Sequence, residues 1–206
     1  MELRPLLAAA TLVLSLVLPA VGCGADLPMT AEEFGLWRDY QSAISDPRVQ
    51  KMPEKQRLPA IAKNFRAAEK TLKEAVEKGE QYGEGIGAQV QALTRGALSS
   101  SDFAARIKEV RVDTSAAHVV AYVTWVATTH ETIDREACQA ASKVFKSNGL
   151  IKTLKIEVLD PDDEKKRLFE ALIGRENAGR IDEERIVDFA STRYRRLFEK
   201  VKRADP

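Results

Sequence analysis

Apolar side chains recur every three or four positions over the first half of the chain and alternate over parts of the second, so two kinds of element are expected. Thr30-Ala-Glu-Glu33 has the form of a capping box, in which a threonine hydroxyl and a glutamate carboxylate each accept the other's backbone N–H. Behind it Phe34, Trp37, Tyr40 and Ile44 give a helix one apolar face, and Asp46-Pro47 stops that helix. Leu58, Ile61, Phe65, Ala68, Leu72 and Val76 predict a second, single amphipathic helix. Its remaining positions are largely charged, with Glu69→Lys73 and Glu74→Lys78 at the favourable i,i+4 spacing. Ile86, Val90, Leu93 and Ala97 predict a third, interrupted by Gly96. Between the second and third helices, Gly79, Gly83, Gly85 and Gly87 read as a flexible connection.

The period changes after Ser99-Ser-Ser-Asp102. From Ile107 the chain alternates, with Val110 and Val112 opposed to Arg111 and Asp113, and residues 114–117 are expected to turn it. His118 to Ala127 is β-branched and aromatic, apolar on both faces, and therefore an interior strand. Residues 128–148 predict a helix burying Ile133, Ala137, Ala140, Ala141 and Val144, ended by Asn148-Gly149. Residues 151–159 alternate again. Asp160-Pro161-Asp162-Asp163 reads as the start of a further helix carrying Leu168, Phe169, Leu172 and Ile173. A last helix from Asp182 would carry Ile186, Phe189, Ala190, Leu197, Phe198 and Val201. The expected fold class is α+β, predominantly helical, with a small three-stranded ββαβ unit. Residues 30–98 form a helical region, and 99–206 hold the ββαβ unit and two closing helices, together one domain. The ββαβ stretch is similar to small envelope modules such as BON domains but lacks their glycine-marked strands, and no function is carried across.

The amino terminus has another purpose. Leu6 to Leu18 is a mostly apolar run behind Arg4, of signal-peptide length and short of the roughly 20 residues that span a bilayer. Pro19 ends it, and Ala20-Val21-Gly22-Cys23 follows. This segment resembles the lipobox of bacterial lipoproteins, although Ala20 stands where that motif prefers leucine. The resemblance implies that residues 1–22 are a signal peptide, that Cys23 is the lipid-modified (palmitate-bearing) first mature residue, and that 23–29 is a tether. Ordinary cleavage after Gly22 or Ala25, or an uncleaved anchor, would equally place Asp26 onward outside the cytoplasm. Gly24 rather than aspartate after the cysteine implies outer-membrane delivery, facing the periplasm.

Charge and chemistry narrow the functions. With 32 Lys+Arg against 31 Asp+Glu the net charge is +1, so no global field recruits nucleic acid. The glycine-rich stretch lacks a preceding strand and a following Gly-Lys-Ser/Thr, and Glu80 and Glu84 would repel phosphate, so it is no nucleotide loop. His130, Asp134 and Cys138 share a helical arc of about 80°. The outer two are about 12 Å apart along the axis, too far to hold one ion. His130-Glu131 opens like the helical zinc-protease motif, but Asp134 stands where its second histidine belongs. No cofactor, metal or catalytic set is therefore expected. Arg193, Arg195, Arg196, Lys200, Lys202 and Arg203 crowd the final helix and are candidates for contact with an anionic surface. The expected function is a non-catalytic structural or assembly component of an envelope complex, held to the membrane by its N-terminal lipid. The alternative is a periplasmic lipid or small-ligand binding protein.

Overall fold

The computed structural model describes residues 27–115, 118–186 and 192–204, the last span without the side chains of Thr192 and Arg193. Helix α1 (Ala31–Ile44) begins at the expected capping box: the Thr30 N–H donates to Glu33 Oε2 at 2.8 Å and the Glu33 N–H to Thr30 Oγ1 at 3.2 Å. The Lys78 ammonium also binds Glu33 and, ahead of the Thr30 amide, holds its carboxyl below the usual 4.5. Short α2 (Pro47–Gln50) starts on Asp46, whose Oδ1 accepts the Arg48 N–H at 2.7 Å. The single helix expected next is two, α3 (Glu54–Phe65) and α4 (Glu69–Tyr82). Arg66 turns into the left-handed region at φ 55, and the Ala67 N–H reaches back to the Ala62 carbonyl at 3.0 Å. That closes the helix as a glycine usually would. The break folds Ile61 and Ala62 back onto Leu72 and Val76, with α1 supplying Leu36, Tyr40 and Ile44 to the same small core. Helix α5 (Ile86–Leu98) follows.

Two glycines expected to give flexibility are packing sites. Gly79 lies inside α4 and Gly83 caps it, and a Cβ at either would lie 2.1 or 2.3 Å from the Trp37 ring. The indole thus lies directly on helix backbone, tilted against Phe34 at 5.5 Å between centroids.

The second half is a mixed sheet of five strands in sequence order: β1 (Ile107–Asp113), β2 (Val119–Val126), β3 (Ile151–Leu159), β4 (Arg167–Gly174) and β5 (Glu199–Arg203). All neighbours are antiparallel except β2 and β3, which run parallel and are joined by helix α6 (Ile133–Ser147). Short α7 (Arg175–Ala178) and α8 (Thr192–Arg195) precede β5. The fold is α+β. The sheet has five strands where three were expected, and the reason is visible in β4. Leu168, Phe169, Leu172 and Ile173 satisfy a helical period, yet Phe169, Ala171 and Ile173 also satisfy a period of two and are buried, with Leu168 buried beside them at the start of the strand. Pairing with β3 satisfies backbone groups that β3 would otherwise leave at an open edge. Asp160 to Lys166 is the hairpin turn, closed by the Asp160 N–H on the Lys166 carbonyl at 2.9 Å. Asp160 and Asp163 accept the amides of Asp162 and Lys165 rather than capping a helix. Of the expected final helix the described residues hold α8, Phe189 and Ala190 lie outside them, and Glu199–Arg203, expected to be helical, pairs with β4 as a strand.

One sheet face packs on α6 and α5: Val119, Ala121, Val123 and Trp125 of β2 and Leu154, Ile156 and Val158 of β3 are buried with Ala137, Ala140, Ala141 and Val144. Within this core lies a buried carboxylate held in an ion pair. Glu136, on α6, accepts from Arg106 at 2.7 Å and from the Trp125 indole N–H at 2.7 Å, while Arg106 also donates to the Val126 carbonyl. Phe103 stacks on Trp125 at 4.5 Å. Arg106→Leu is expected to leave a buried carboxylate short of its cation and to cost about 3 kcal/mol in urea unfolding, most of it recovered by a second change, Glu136→Leu.

Candidate interaction surface on the open sheet face

Because side chains alternate along a strand, the residues not facing α6 form a second surface, and the register aligns them in rows. Arg111, Tyr122, Lys155, Leu172 and Glu199 stand side by side across all five strands. Glu109, Thr124, Glu157, Glu170 and Lys202 form the next row. At the centre of the first, the Arg111 guanidinium lies 3.8 Å from the Tyr122 ring centroid and the Lys155 ammonium 4.8 Å from it. Lys155 also donates to the Tyr122 hydroxyl at 3.3 Å. A ring held by two cations is a preordered anchor, since each cation–π contact contributes about 0.5–1 kcal/mol at an exposed site. Sequence reasoning missed these three residues. They were visible as the polar members of alternating strands, but which of them meet depends on register.

Beside this row a shallow cleft of about 270 Å³ runs between β3, β4 and β5, lined by Lys155, Glu157, Glu170, Leu172, Lys200 and Lys202. The β5 strand carries a bulge here: Glu170 pairs with Lys202 and Leu172 with Glu199, so Ala171 opposes both Lys200 and Val201. Lys200 takes up the bulge at φ 50, a conformation that costs a side-chain-bearing residue about 1 kcal/mol or more. As a result Glu199 and Lys202, which regular alternation would put on opposite faces, point to the same one. Glu170 receives Lys202 at 3.2 Å and Arg167 at 2.9 Å, and those two cations hold its carboxyl below the usual 4.5.

The basic residues expected to line one helix are scattered. Arg195 on α8 binds Asp134 at 2.8 Å, and Arg203 on β5 binds its other oxygen, so both clamp the C-terminal segment onto α6. Arg203 also covers the Phe169 ring. Arg196 is exposed beside Asn177 and Arg180. Lys200 and Lys202 belong to the open face. The Arg193 side chain and Cys23 with its leader lie outside the described residues. His130 is exposed and precedes α6, so it does not share a helix with Asp134 and Cys138. Cys138 is enclosed with Asp134, Phe169, Phe198 and Val201 around a void of about 10 Å³, and burial pushes its thiol up to about 12. Such a thiol is almost wholly protonated at neutral pH and a poor nucleophile. Among the described residues no group of three or more His, Cys, Asp or Glu side chains gathers as a metal site requires.

No family model, curated protein or solved structure matches this chain.

Two outcomes follow from these ion pairs. Asp134→Asn should release Arg195 and Arg203, raising hydrogen exchange across Glu199–Arg203 and the rate at which a thiol reagent modifies Cys138, with α1 to α5 unaffected. Glu170 is stabilised as the carboxylate by folding, so its contribution is complete above pH 4.5 and lost as pH falls below that value. Protection of the β5 amides, measured against the intrinsic exchange rate at each pH, should therefore fall as pH drops from neutral to about 3.5, a fall that Glu170→Gln should largely remove.

Proposed function

We propose that this chain is a lipid-anchored lipoprotein of the cell envelope that works without catalysis, as an assembly component that holds a protein partner on its open sheet face. The observation that carries the partner-binding part is the row Arg111, Tyr122 and Lys155. Tyrosine and arginine are the residues most often found at the energetic centre of protein interfaces. Here they are ordered before any partner arrives, which lowers the entropy cost of association. The Lys155 to Lys202 cleft widens the same surface.

The anchoring part rests on the leader. Leu6 to Leu18 and Ala20-Val21-Gly22-Cys23 supply a signal-peptide run and a lipobox-like end. Where the folded domain begins adds to it. Met29 is buried and Leu27 packs against the main core, so only Gly24, Ala25 and Asp26 separate the core from Cys23. That linkage spans roughly 14 Å at most when extended. Diacylation at Cys23 would therefore hold the domain close against the leaflet, and the membrane would help orient the exposed sheet face. Outer-membrane placement, implied by Gly24, belongs to the same proposal. Among the described residues no helix is long and apolar enough to cross a membrane.

Cys23→Ser should abolish incorporation of labelled palmitate, and mass spectrometry of the parent chain should find a diacylated N-terminal cysteine. An unmodified chain starting at Met1 would refute the anchor. Arg111→Glu with Lys155→Glu should remove the partner protein recovered with the parent from detergent-solubilised envelopes, while unfolding free energy falls by no more than about 2 kcal/mol, the value of the two lost cation–π contacts. Recovery of the same complex by the charge-reversed chain would refute the partner surface.

A further inference from the structure

Away from the open face, a crevice of about 140 Å³ lies between α1 and the first residues of the parallel strands β2 and β3. Its floor is apolar, formed by Phe34, Val119 and Leu150, each less than a tenth exposed. Its rim carries the cations Arg38 and Lys152 and the imidazole of His118. Among the described residues no acidic side chain lines it. Two of the rim groups are held in place: Arg38 donates to the Ser115 carbonyl at 2.8 Å, and His118 Nε2 lies 3.0 Å from the Thr153 hydroxyl.

Gly35 is the informative residue. It occupies the second turn of α1, where glycine costs about 1 kcal/mol relative to alanine. Gly79 and Gly83 are required by the Trp37 ring, but a Cβ at Gly35 would meet nothing within 4 Å. No neighbour demands the glycine. The room its missing side chain leaves opens onto the crevice; Gly96 inside α5 also meets nothing within 4 Å, and what sets Gly35 apart is its place in this lining.

We infer that this crevice binds a small amphiphilic anion, a carboxylate with a short aliphatic chain. The carboxylate lies at the rim, accepting charge-assisted hydrogen bonds from Arg38 and Lys152. The chain lies over Phe34, Val119 and Leu150 and passes Gly35. A volume of about 140 Å³ is below the roughly 300 Å³ at which pockets enclose drug-sized ligands, which sets the occupant at a few carbon atoms. This site shares no residue with the partner surface on the open sheet face, and it stands or falls without it.

The test is calorimetric titration of the full-length chain in phosphatidylcholine nanodiscs, with empty discs as the baseline. Hexanoate should bind saturably at one site, and hexanamide and inorganic phosphate at least about tenfold more weakly. Gly35→Leu should reduce hexanoate affinity at least about tenfold while the melting temperature stays at or above that of the parent. Should Gly35→Leu lower the melting temperature, the Arg38→Gln, Lys152→Gln double variant decides, and it should show the same loss of affinity. The proposal is overturned if the parent does not bind hexanoate, if hexanamide or phosphate binds as tightly, or if the deciding variant binds hexanoate as the parent does.

Discussion

Helix α6 is the constraint on which the second half of the molecule depends. Parallel strands cannot be joined by a tight turn, so β2 and β3 pair only if the chain between them crosses over, and α6 is that crossover. Its alanine-rich face lets the helix lie close on the sheet, with Ala137, Ala140 and Ala141 buried. Three polar contacts then fix its position. Glu136 ties it to Arg106 and Trp125 of the β1–β2 side, and Asp134 ties it to the C-terminal segment. At its far end the Arg175 guanidinium donates to the carbonyls of Phe145, Asn148 and Ile151, a cation where the helix dipole is negative. Burial moves that guanidinium below its ordinary value without neutralising it.

The parts of the fold legible in the sequence are those where one period stands alone. α1 was announced by Thr30 and Glu33, α5 by Ile86 to Ala97, β1 and β3 by alternation, and β2 by a β-branched and aromatic run apolar on both faces. The break at Arg66 had no such sign, because an arginine closes the helix where glycine is usual, and the apolar spacing runs on through it. β4 carries two periods at once, and only the exposed edge of β3 decides between them. β5 is shorter still. Its Lys and Arg residues fit a helical terminus as well as an edge strand, and edge strands favour charge for their own reason, to discourage further pairing. Of the site, Lys202 and Lys200 were singled out for their charge, but Tyr122 and Arg111 acquire meaning only once register brings them together.

The two faces of the sheet show how one alternation serves two purposes. Inward positions of β2 are Val119, Ala121, Val123 and Trp125, chosen by volume; outward positions include Tyr122 and Thr124, free of that demand. The sheet is thus stabilised from one side, and the other can vary in chemistry at small cost in stability. Trp37 applies the reverse arrangement in the helical half, where Gly79 and Gly83 are determined by a neighbour's shape and little substitution is open to them.

Under the proposed lipid anchor at Cys23, the buried position of Met29 has a consequence for how the domain would search for the proposed partner. A molecule on a long leash samples a hemisphere of distances and all rotations; one whose core starts three residues from its lipid sweeps a thin layer parallel to the leaflet and turns mainly about the perpendicular. Encounters would then be confined to partners whose own binding surface lies at the same height above the bilayer, a selection by altitude that precedes any chemistry at the contact.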